Sequence, residues 1–238
     1  MDNLGQLEQA AVAHHEQTFT DDTGIWRDGI NTLLRGFDAL HKRNVQNDTE
    51  RVQAILLIRA WNTVYCAFDL AQRGYYSQSL NLLRTPVEDW MAYWYLRVFP
   101  AEHFRFLGKG QNTPSFNDML QKIESKHGKE QGDAVRPWIK RLHKFSHVDR
   151  LGIKMAILPG GDALNLALGP QRDRLRYLLC VEQALAVVLE LMEALDNLRR
   201  LMGSEPLGGF QQYVDRVHVW QQKQAETEKT EPCLRSRQ

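Results

Sequence analysis

The sequence lacks the features that mark small secreted, zinc-bound and membrane-spanning proteins. Its three cysteines are widely spaced and form no CxxC pair, which argues against a zinc ribbon and a disulfide framework. The N-terminus has no basic segment followed by an apolar one, so no secretory signal is predicted. The most apolar stretch, Leu178 to Met192, contains Glu182, Gln183 and Glu190 and is not expected to span a bilayer. We therefore predict a reduced protein of the cytoplasm with no membrane association.

An excess of charge of one sign is also missing. Thirty Lys and Arg side chains balance 29 acidic ones, leaving a formal charge of +1. A globally basic nucleic-acid binder would look different, so RNA or DNA would have to be bound by a local patch. No internal repeat is visible, and the Gly108-x-Gly110 pair follows no predicted strand and lacks a third glycine, which argues against a phosphate loop. Hydrophobic residues make up 43% of the chain, enough for a large core.

Helical periodicity runs through most of the sequence and predicts an all-α bundle of at least six helices. Asn47 and Glu50 are spaced as a capping pair, and the helix that they open should stop near Gly74. Pro86 should kink or break the helix predicted over residues 77–99. Ser115 and Asp118 are placed to cap a further short helix. An earlier helix is predicted by an apolar face at Trp26, Ile30, Leu33, Leu34, Phe37 and Leu40. Cys66 and Cys180 lie in apolar runs, so both thiols should behave as small hydrophobic groups.

The second half of the chain predicts two helices separated by a small β-hairpin. A helix is expected from about Asp133 to His147, after which hydrophobic residues alternate over 153–157 and again over 164–168 around a Pro-Gly-Gly-Asp turn. From Gln171 to Met202 apolar residues advance by steps of three and four, which predicts a helix about 48 Å long that packs against neighbouring helices. We expect one helical domain over residues 1–220 and a polar, disordered tail over 221–238.

Arg84 and Glu88 are the first candidate for a functional site. They are four residues apart, hence on one helix face, and their neighbours are apolar. Desolvated ionisable groups cluster at functional sites, so the pair is a candidate for a buried, pocket-lining ion pair. The alternatives are an internal ion pair that fixes helix register and a solvated stripe.

The helix around residues 134–154 is the second candidate, because it concentrates positive charge. It carries six cationic residues and a single acid, Asp149; the cations are Arg136, Lys140, Arg141, Lys144, Arg150 and Lys154. Phosphates are bound by Lys and Arg, and single-stranded bases stack on aromatic rings such as Trp138 and Phe145, so RNA or DNA is the natural ligand. In the alternative interpretation the two rings point into the core and the cations form an ordinary solvated face.

Two histidines on the same predicted helix, His143 and His147, are spaced four apart and can present two imidazoles to one metal. The spacing indicates no third ligand, so neither a metal nor another cofactor is predicted.

Two segments resemble uncharacterised bacterial HEPN-like proteins of the abortive-infection type over roughly residues 50–200. The first is DLAQRGYYSQSLNLLRTPVEDWMAYWYL, Asp69 to Leu96, with a glycine turn followed by an Arg and, four residues later, a Glu. The second is RLHKFSHVD, Arg141 to Asp149, a helix ending in a histidine. The resemblance implies a dimeric helical bundle.

Many HEPN proteins are metal-independent ribonucleases of toxin–antitoxin and phage-defence systems. Their catalytic motif is an arginine and, four to six residues on, a histidine, supported by an acid from an earlier helix. The resemblance therefore implies catalytic roles for Arg141, His147 and Glu88, and substrate binding by Arg84, Arg136, Lys140, His143 and Lys144. RNA and an antitoxin or regulator protein are the implied partners. Arg136 and His143 also fit the spacing, but Pro137 follows Arg136.

Two other functions stay open at this point. The first is a non-catalytic interaction or regulatory module with a degenerate site, for which the apolar seam from Leu178 to Leu195 would supply a partner surface. The second is a bundle that binds a small molecule in a pocket lined by Arg84, Glu88, Trp90 and Trp94.

Overall fold

The computed structural model describes residues 3–41, 47–107, 112–146 and 170–230, and these ranges are helical with no strand. They hold nine α-helices and one 3-10 helix (Pro100–Phe106), which confirms the all-α prediction for this part of the chain. The predicted hairpin over 153–168 lies outside the described residues. The α-helices are α1 (Leu4–Thr18), α2 (Thr20–His41), α3 (Asp48–Gln72), α4 (Tyr76–Leu82), α5 (Arg84–Val98), α6 (Phe116–His127), α7 (Glu130–Ser146), α8 (Arg174–Leu201) and α9 (Phe210–Thr230).

The capping residues begin their helices where the sequence predicts. The side chain of Asn47 accepts a hydrogen bond from the backbone N–H of Glu50 at the start of α3. Ser115 and Asp118 form a reciprocal capping box at the start of α6. Each cap satisfies backbone donors that have no partner within the helix, and this is why a purely local pattern sets these boundaries.

The turn after α3 depends on glycine. Gly74 has a φ of 82°, in the left-handed region that glycine adopts without strain. Its carbonyl accepts a hydrogen bond of 3.1 Å from the backbone N–H of Gln171, just before α8 begins. A Cβ at Gly74 would lie 2.3 Å from the carbonyl oxygen of Gln171, so only glycine lets the two backbone segments meet.

The proline expected to disturb the fourth helical segment does so. The segment is divided into α4 and α5 at Leu83, and Pro86 lies in the first turn of α5, where its missing N–H costs no hydrogen bond.

Helix α8 is the centre of the bundle. Its seam is almost wholly buried at Val181, Leu185, Val188, Met192 and Leu195, and it packs against α2, α3, α4 and α5. A second apolar cluster joins α3, α5 and α6 through Leu56, Met91, Leu96 and Leu120. Helices α3 and α5 belong to both clusters, so they form the wall between the two halves of the core.

Several expectations are corrected. Cys66 is exposed rather than packed in the core, whereas Cys180 is buried as expected. Leu34 is also exposed, because it lies at the edge of the face that α2 turns inward. Helix α9 continues to Thr230, so residues 221–230 of the expected polar tail are helical. Finally, α1 is a helix that the sequence did not indicate, and it buries only Ala11 and His15.

The apolar character of α3 exceeds what the core requires. By length and composition it is the one helix of the described ranges that could span a bilayer, yet only 33% of its most apolar window is buried inside the protein. Much of the apolar surface of α3 therefore faces outward. The apolar stretch at Leu178–Met192 belongs instead to α8, which is buried in the core.

Candidate functional site: a cleft between α3, α5 and α7

A cleft of about 630 Å³ opens between α3, α5 and α7. The start of α6 and the end of the 3-10 helix close its sides. Apolar side chains such as Leu56, Ala92 and Ile139 form much of its lining. Its ionisable lining residues are Arg59, Arg84, Glu88, Asp89 and His143. A largely apolar cavity with a few convergent polar groups is the usual form of a ligand site.

The Arg84–Glu88 pair lies on the wall of this cleft. The Nε of Arg84 donates a 2.8 Å hydrogen bond to Oε1 of Glu88, so the two residues are paired as their spacing indicates. Their side chains are 33% and 37% exposed, so the pair is mostly buried, as expected, but not sealed from solvent. The opening of the cleft beside them leaves them within reach of a ligand.

A second ion pair in the cleft joins α3 to α5. The Nε of Arg59 donates to both carboxylate oxygens of Asp89, at 3.1 and 2.9 Å, and a terminal nitrogen of Arg59 donates to Oδ1. Asp89 is fully buried, and burial raises its pKa above the ordinary value, while the bonds from Arg59 act in the opposite direction. The guanidinium of Arg59 itself is 62% exposed.

The sequence did not point to the Arg59–Asp89 pair. The two residues are 30 positions apart, and no helical spacing relates them. The available signal was Asp89 itself, a second acid next to Glu88 in an otherwise apolar helix. A buried carboxylate requires a partner, but the sequence does not say which.

Helix α7 directs His143 and Arg141 to different surroundings. His143 is half-buried and lines the cleft. Arg141 lies two residues earlier, about 200° around the helix axis, and its Nη1 is 3.8 Å from Oε1 of Glu182 on α8. Arg141 and Glu182 are both more than half exposed, so this ion pair is a surface contact.

The catalytic set implied by the resemblance is therefore not assembled by the described residues. Glu88 is bonded to Arg84, and Arg141 is paired with Glu182, outside the cleft lining. His147 lies outside the described residues. The cleft instead brings Arg84 and Glu88 together with His143, a residue for which only substrate binding was expected.

The other cations of α7 are distributed over its exposed surface. Lys140 and Lys144 are exposed, and Arg136 is paired with Glu124 of α6 and is absent from the cleft lining that holds His143. The cations of the expected surface that the structure describes are thus exposed but outside the lining of the cleft, and Arg150 and Lys154 lie outside the described residues.

The aromatic residues of α7 belong to the core. Phe145 is 4% exposed, and Trp138 packs edge-on against Trp90 with 6.2 Å between ring centroids. Base stacking on these rings is thus contradicted, and the alternative interpretation, rings inward and cations outward, is correct. Trp90 and Trp94 pack against each other at 5.5 Å and are absent from the cleft lining, which corrects the pocket expected around them.

Within the described ranges, no three His, Cys, Asp or Glu side chains are grouped so that they could hold a metal ion. No protein-family model matches the chain, and neither a curated protein nor a solved structure does. The HEPN-like resemblance thus stays a prediction from the two sequence segments, and the functional argument depends on the geometry of the cleft.

Proposed function

We propose that this chain is an RNA-binding helical protein of the toxin or defence type that cleaves RNA without a metal ion, with the cleft between α3, α5 and α7 as its nucleotide-binding site. One observation carries the proposal: the cleft wall combines two guanidinium groups, a partly exposed carboxylate and an imidazole, from Arg59, Arg84, Glu88 and His143.

These groups have the chemistry that metal-free RNA cleavage needs. A base must take the proton from the ribose 2′-hydroxyl, and a cation must stabilise the charge that develops on the phosphate. Imidazole is the side-chain group most often used for proton transfer, which suits His143 to the first role, and Arg84 has the planar guanidinium that suits the second. Glu88 orients Arg84 through its 2.8 Å hydrogen bond.

The exposed cations of α7 fit the same proposal. Lys140, Arg141 and Lys144 are exposed on the helix that carries His143 into the cleft. Exposed Lys and Arg side chains can contact the phosphates of RNA without reading its sequence. They would hold a strand whose scissile nucleotide occupies the cleft.

The second candidate function is the binding of a small polar molecule. The volume of about 630 Å³ fits a ligand of that size. Each arginine of the cleft already has a carboxylate partner, so the charges of Arg59 and Arg84 are largely balanced before any ligand arrives. A neutral or zwitterionic molecule could therefore bind without breaking either ion pair.

Incubation of the purified protein with labelled RNA in EDTA tests the proposal. Wild type should cleave, and His143→Ala should slow cleavage by about 10²–10⁴-fold, the usual contribution of a proton-transfer group. The matched control is His218→Ala, which removes an exposed histidine on α9, outside the cleft. A wild-type protein that leaves RNA intact in EDTA contradicts the ribonuclease function.

Two further variants separate binding from chemistry. Lys140→Ala and Lys144→Ala should weaken RNA binding and reduce the slope of log affinity against log salt by about one each, since each removes one phosphate contact. His147→Ala tests the Arg141–His147 motif separately: if it abolishes cleavage and His143→Ala does not, the proton-transfer group is His147. RNA binding without cleavage by any variant would leave a non-catalytic RNA-binding module.

A further inference from the structure

The outward face of α3 carries a regular stripe of residues, called here the α3 stripe. Its members are Arg51, Ile55, Ile58, Asn62, Tyr65 and Asp69. They are separated by steps of four, three, four, three and four, which is the spacing of the contact positions in a coiled coil. Ile55 and Tyr65 are each 53% exposed, and Ile58 is 39% exposed. The stripe is therefore a packing seam whose apolar members lie at the surface.

The surroundings enlarge this apolar surface. Trp61 stacks on Tyr65 with 6.1 Å between ring centroids and contacts Phe37 of α2. Leu34, one turn before Phe37 on α2, is 39% exposed. Contiguous exposed apolar surface of this kind is uncommon on monomers and marks an interaction site.

The order of residues along the α3 stripe is symmetric about its centre. Arg51 and Asp69 occupy the two ends, Ile55 and Tyr65 come next, and Ile58 and Asn62 flank the midpoint. When two copies of the helix run antiparallel across a two-fold axis at this midpoint, Ile55 of one copy faces Tyr65 of the other. The axis likewise places Arg51 opposite Asp69 at both ends.

The charges at the ends of the α3 stripe favour the antiparallel pair over a parallel one. In a parallel pair each Arg51 would face another Arg51 and each Asp69 another Asp69, and like charges in an interface are unfavourable. Asp69 is half exposed while its Oδ2 accepts a 2.9 Å hydrogen bond from Arg73 within its own helix, so it remains accessible to a second cation. Asn62 supplies a polar group at a seam position, which restricts the register.

We infer that the α3 stripe is the interface of an antiparallel homodimer, in which Arg51 of each copy pairs with Asp69 of the other. The occupant is a second copy of this chain, because across the axis the stripe pairs opposite charges at its ends and places the apolar Ile55 against the apolar Tyr65. The inference does not depend on the proposed ribonuclease function. It adds one feature to the site: Ile55 belongs to both the stripe and the cleft lining, so Tyr65 of the second copy would lie at the rim of the cleft.

Charge reversal and its rescue test the interface by sedimentation-velocity ultracentrifugation of the full chain. Wild type should sediment as a dimer at micromolar concentration. Arg51→Asp alone, and Asp69→Arg alone, should each raise the dimer dissociation constant by about 100-fold, because the two-fold axis places the mismatched charges at both ends. The double variant Arg51→Asp, Asp69→Arg restores opposite charges across the axis and should dimerise like wild type.

The controls separate association from folding and from membrane binding. Lys223→Asp reverses an exposed charge on α9 and should leave the dimer unchanged. Circular dichroism should show the same helicity for all variants. A monomeric wild type, or a double variant that stays monomeric while folded, overturns the inference. So does association of a monomeric wild type with phosphatidylcholine vesicles, since the exposed apolar face would then be a membrane surface.

Discussion

Arg59 covers Asp89, and the carboxylate of Asp89 is buried beneath a guanidinium that is itself 62% exposed. The arginine thus connects α3 to α5 at the wall of the cleft while its other side faces solvent. Burial alone would favour a neutral Asp89, and the bonds from Arg59 stabilise the ionised form. The pair therefore contributes to the fold and defines one charged edge of the cleft.

Removing Arg59 should destabilise the protein in a pH-dependent way. Arg59→Ala leaves a buried carboxylate without its partner and should lower the free energy of unfolding by about 2 kcal/mol at pH 7. The pKa of Asp89 is already raised in the folded protein, and the variant loses the contribution that lowers it. Stability is therefore lost as pH rises, and the deficit should be smaller at pH 4.5 than at pH 8. Urea unfolding at the two pH values measures this deficit in the free energy of unfolding.

The double variant Arg59→Ala, Asp89→Asn should recover part of the lost free energy of unfolding, because it removes the unpaired carboxylate. No recovery would contradict the conclusion that Arg59 stabilises the ionised form of Asp89.

Gly74 should tolerate no side chain. Gly74→Ala requires a positive φ at alanine and places its Cβ 2.3 Å from a backbone oxygen of Gln171, so we expect a loss of about 3 kcal/mol or more. Gly209 is the matched control, because its φ of 83° is nearly the same but the atom nearest to an added Cβ is the side-chain oxygen of Gln212, at 3.9 Å. Gly209→Ala should cost only the conformational penalty of about 1–2 kcal/mol. Equal losses in thermal unfolding would show that the backbone contact with Gln171 contributes nothing.

Glu190 should destabilise the fold at alkaline pH. Burial raises its pKa to about 7, and Glu193 adds a like charge nearby. A carboxyl whose pKa is raised in the folded state favours folding in its protonated form, so stability is lost as pH rises from about 4.5 through 7. Glu190→Gln should therefore raise the free energy of unfolding at pH 8 by about 1 kcal/mol, allowing for screening by solvent, and change little at pH 5. Glu182→Gln, on the exposed face of the same helix, should show no such difference between the two pH values.

His15 should make the protein sensitive to acid. It is fully buried on α1, and its Nε2 is 2.6 Å from the hydroxyl of Tyr76. Burial lowers its pKa, and the positive charges of His14 and Arg172 act in the same direction. The contribution of neutral His15 is thus present above pH 6.5 and is lost as pH falls below that value.

The test for His15 compares unfolding at pH 7 and pH 5. His15→Gln should be less stable than wild type by about 1–2 kcal/mol at pH 7, because the buried ring's hydrogen bonds to the carbonyl of Ala11 and to the hydroxyl of Tyr76 are lost. The difference in free energy of unfolding between wild type and His15→Gln should be smaller at pH 5, because acid favours protonation of the imidazole, which burial opposes in wild type. His218→Gln removes an exposed histidine of α9 and should follow wild type at both pH values. A difference between wild type and His15→Gln that is the same at pH 7 and pH 5 would place the acid sensitivity elsewhere.

Local signals predicted much of the fold. The caps at Asn47 and Ser115, the stop at Gly74 and the break near Pro86 each depend on residues within one helical turn. Such features act on the backbone directly, so tertiary packing did not override them. Helix α1 also begins with a capping box, formed by Asn3 and Gln6, but it was not predicted because its apolar periodicity is weak: it buries only two residues.

The site was predictable only in part, because its groups come from separate helices. The spacing of Arg84 and Glu88 gives their pairing, but no spacing relates Arg59 to Asp89. An Arg–His motif says only that two residues are near in sequence. Arg141 contacts α8 and its motif partner His147 lies outside the described residues, while Arg136 contacts α6 and its motif partner His143 lines the cleft. Cys66 was misplaced for a related reason: the outward face of α3 is itself apolar, so hydrophobicity did not distinguish inside from outside.

The hydrogen bond between Gly74 and Gln171 has a topological consequence. It joins the end of α3 to the approach to α8, so the part of the chain that holds α4 to α7 has its two ends at one place in the fold. That part is integral to the bundle, because Tyr76, Leu83 and Phe145 are buried in the same apolar cluster as the residues of α2 and α8. The cleft is therefore built on helices that the core also needs, and a substitution that opens the cleft wall will be felt in the stability of the whole bundle.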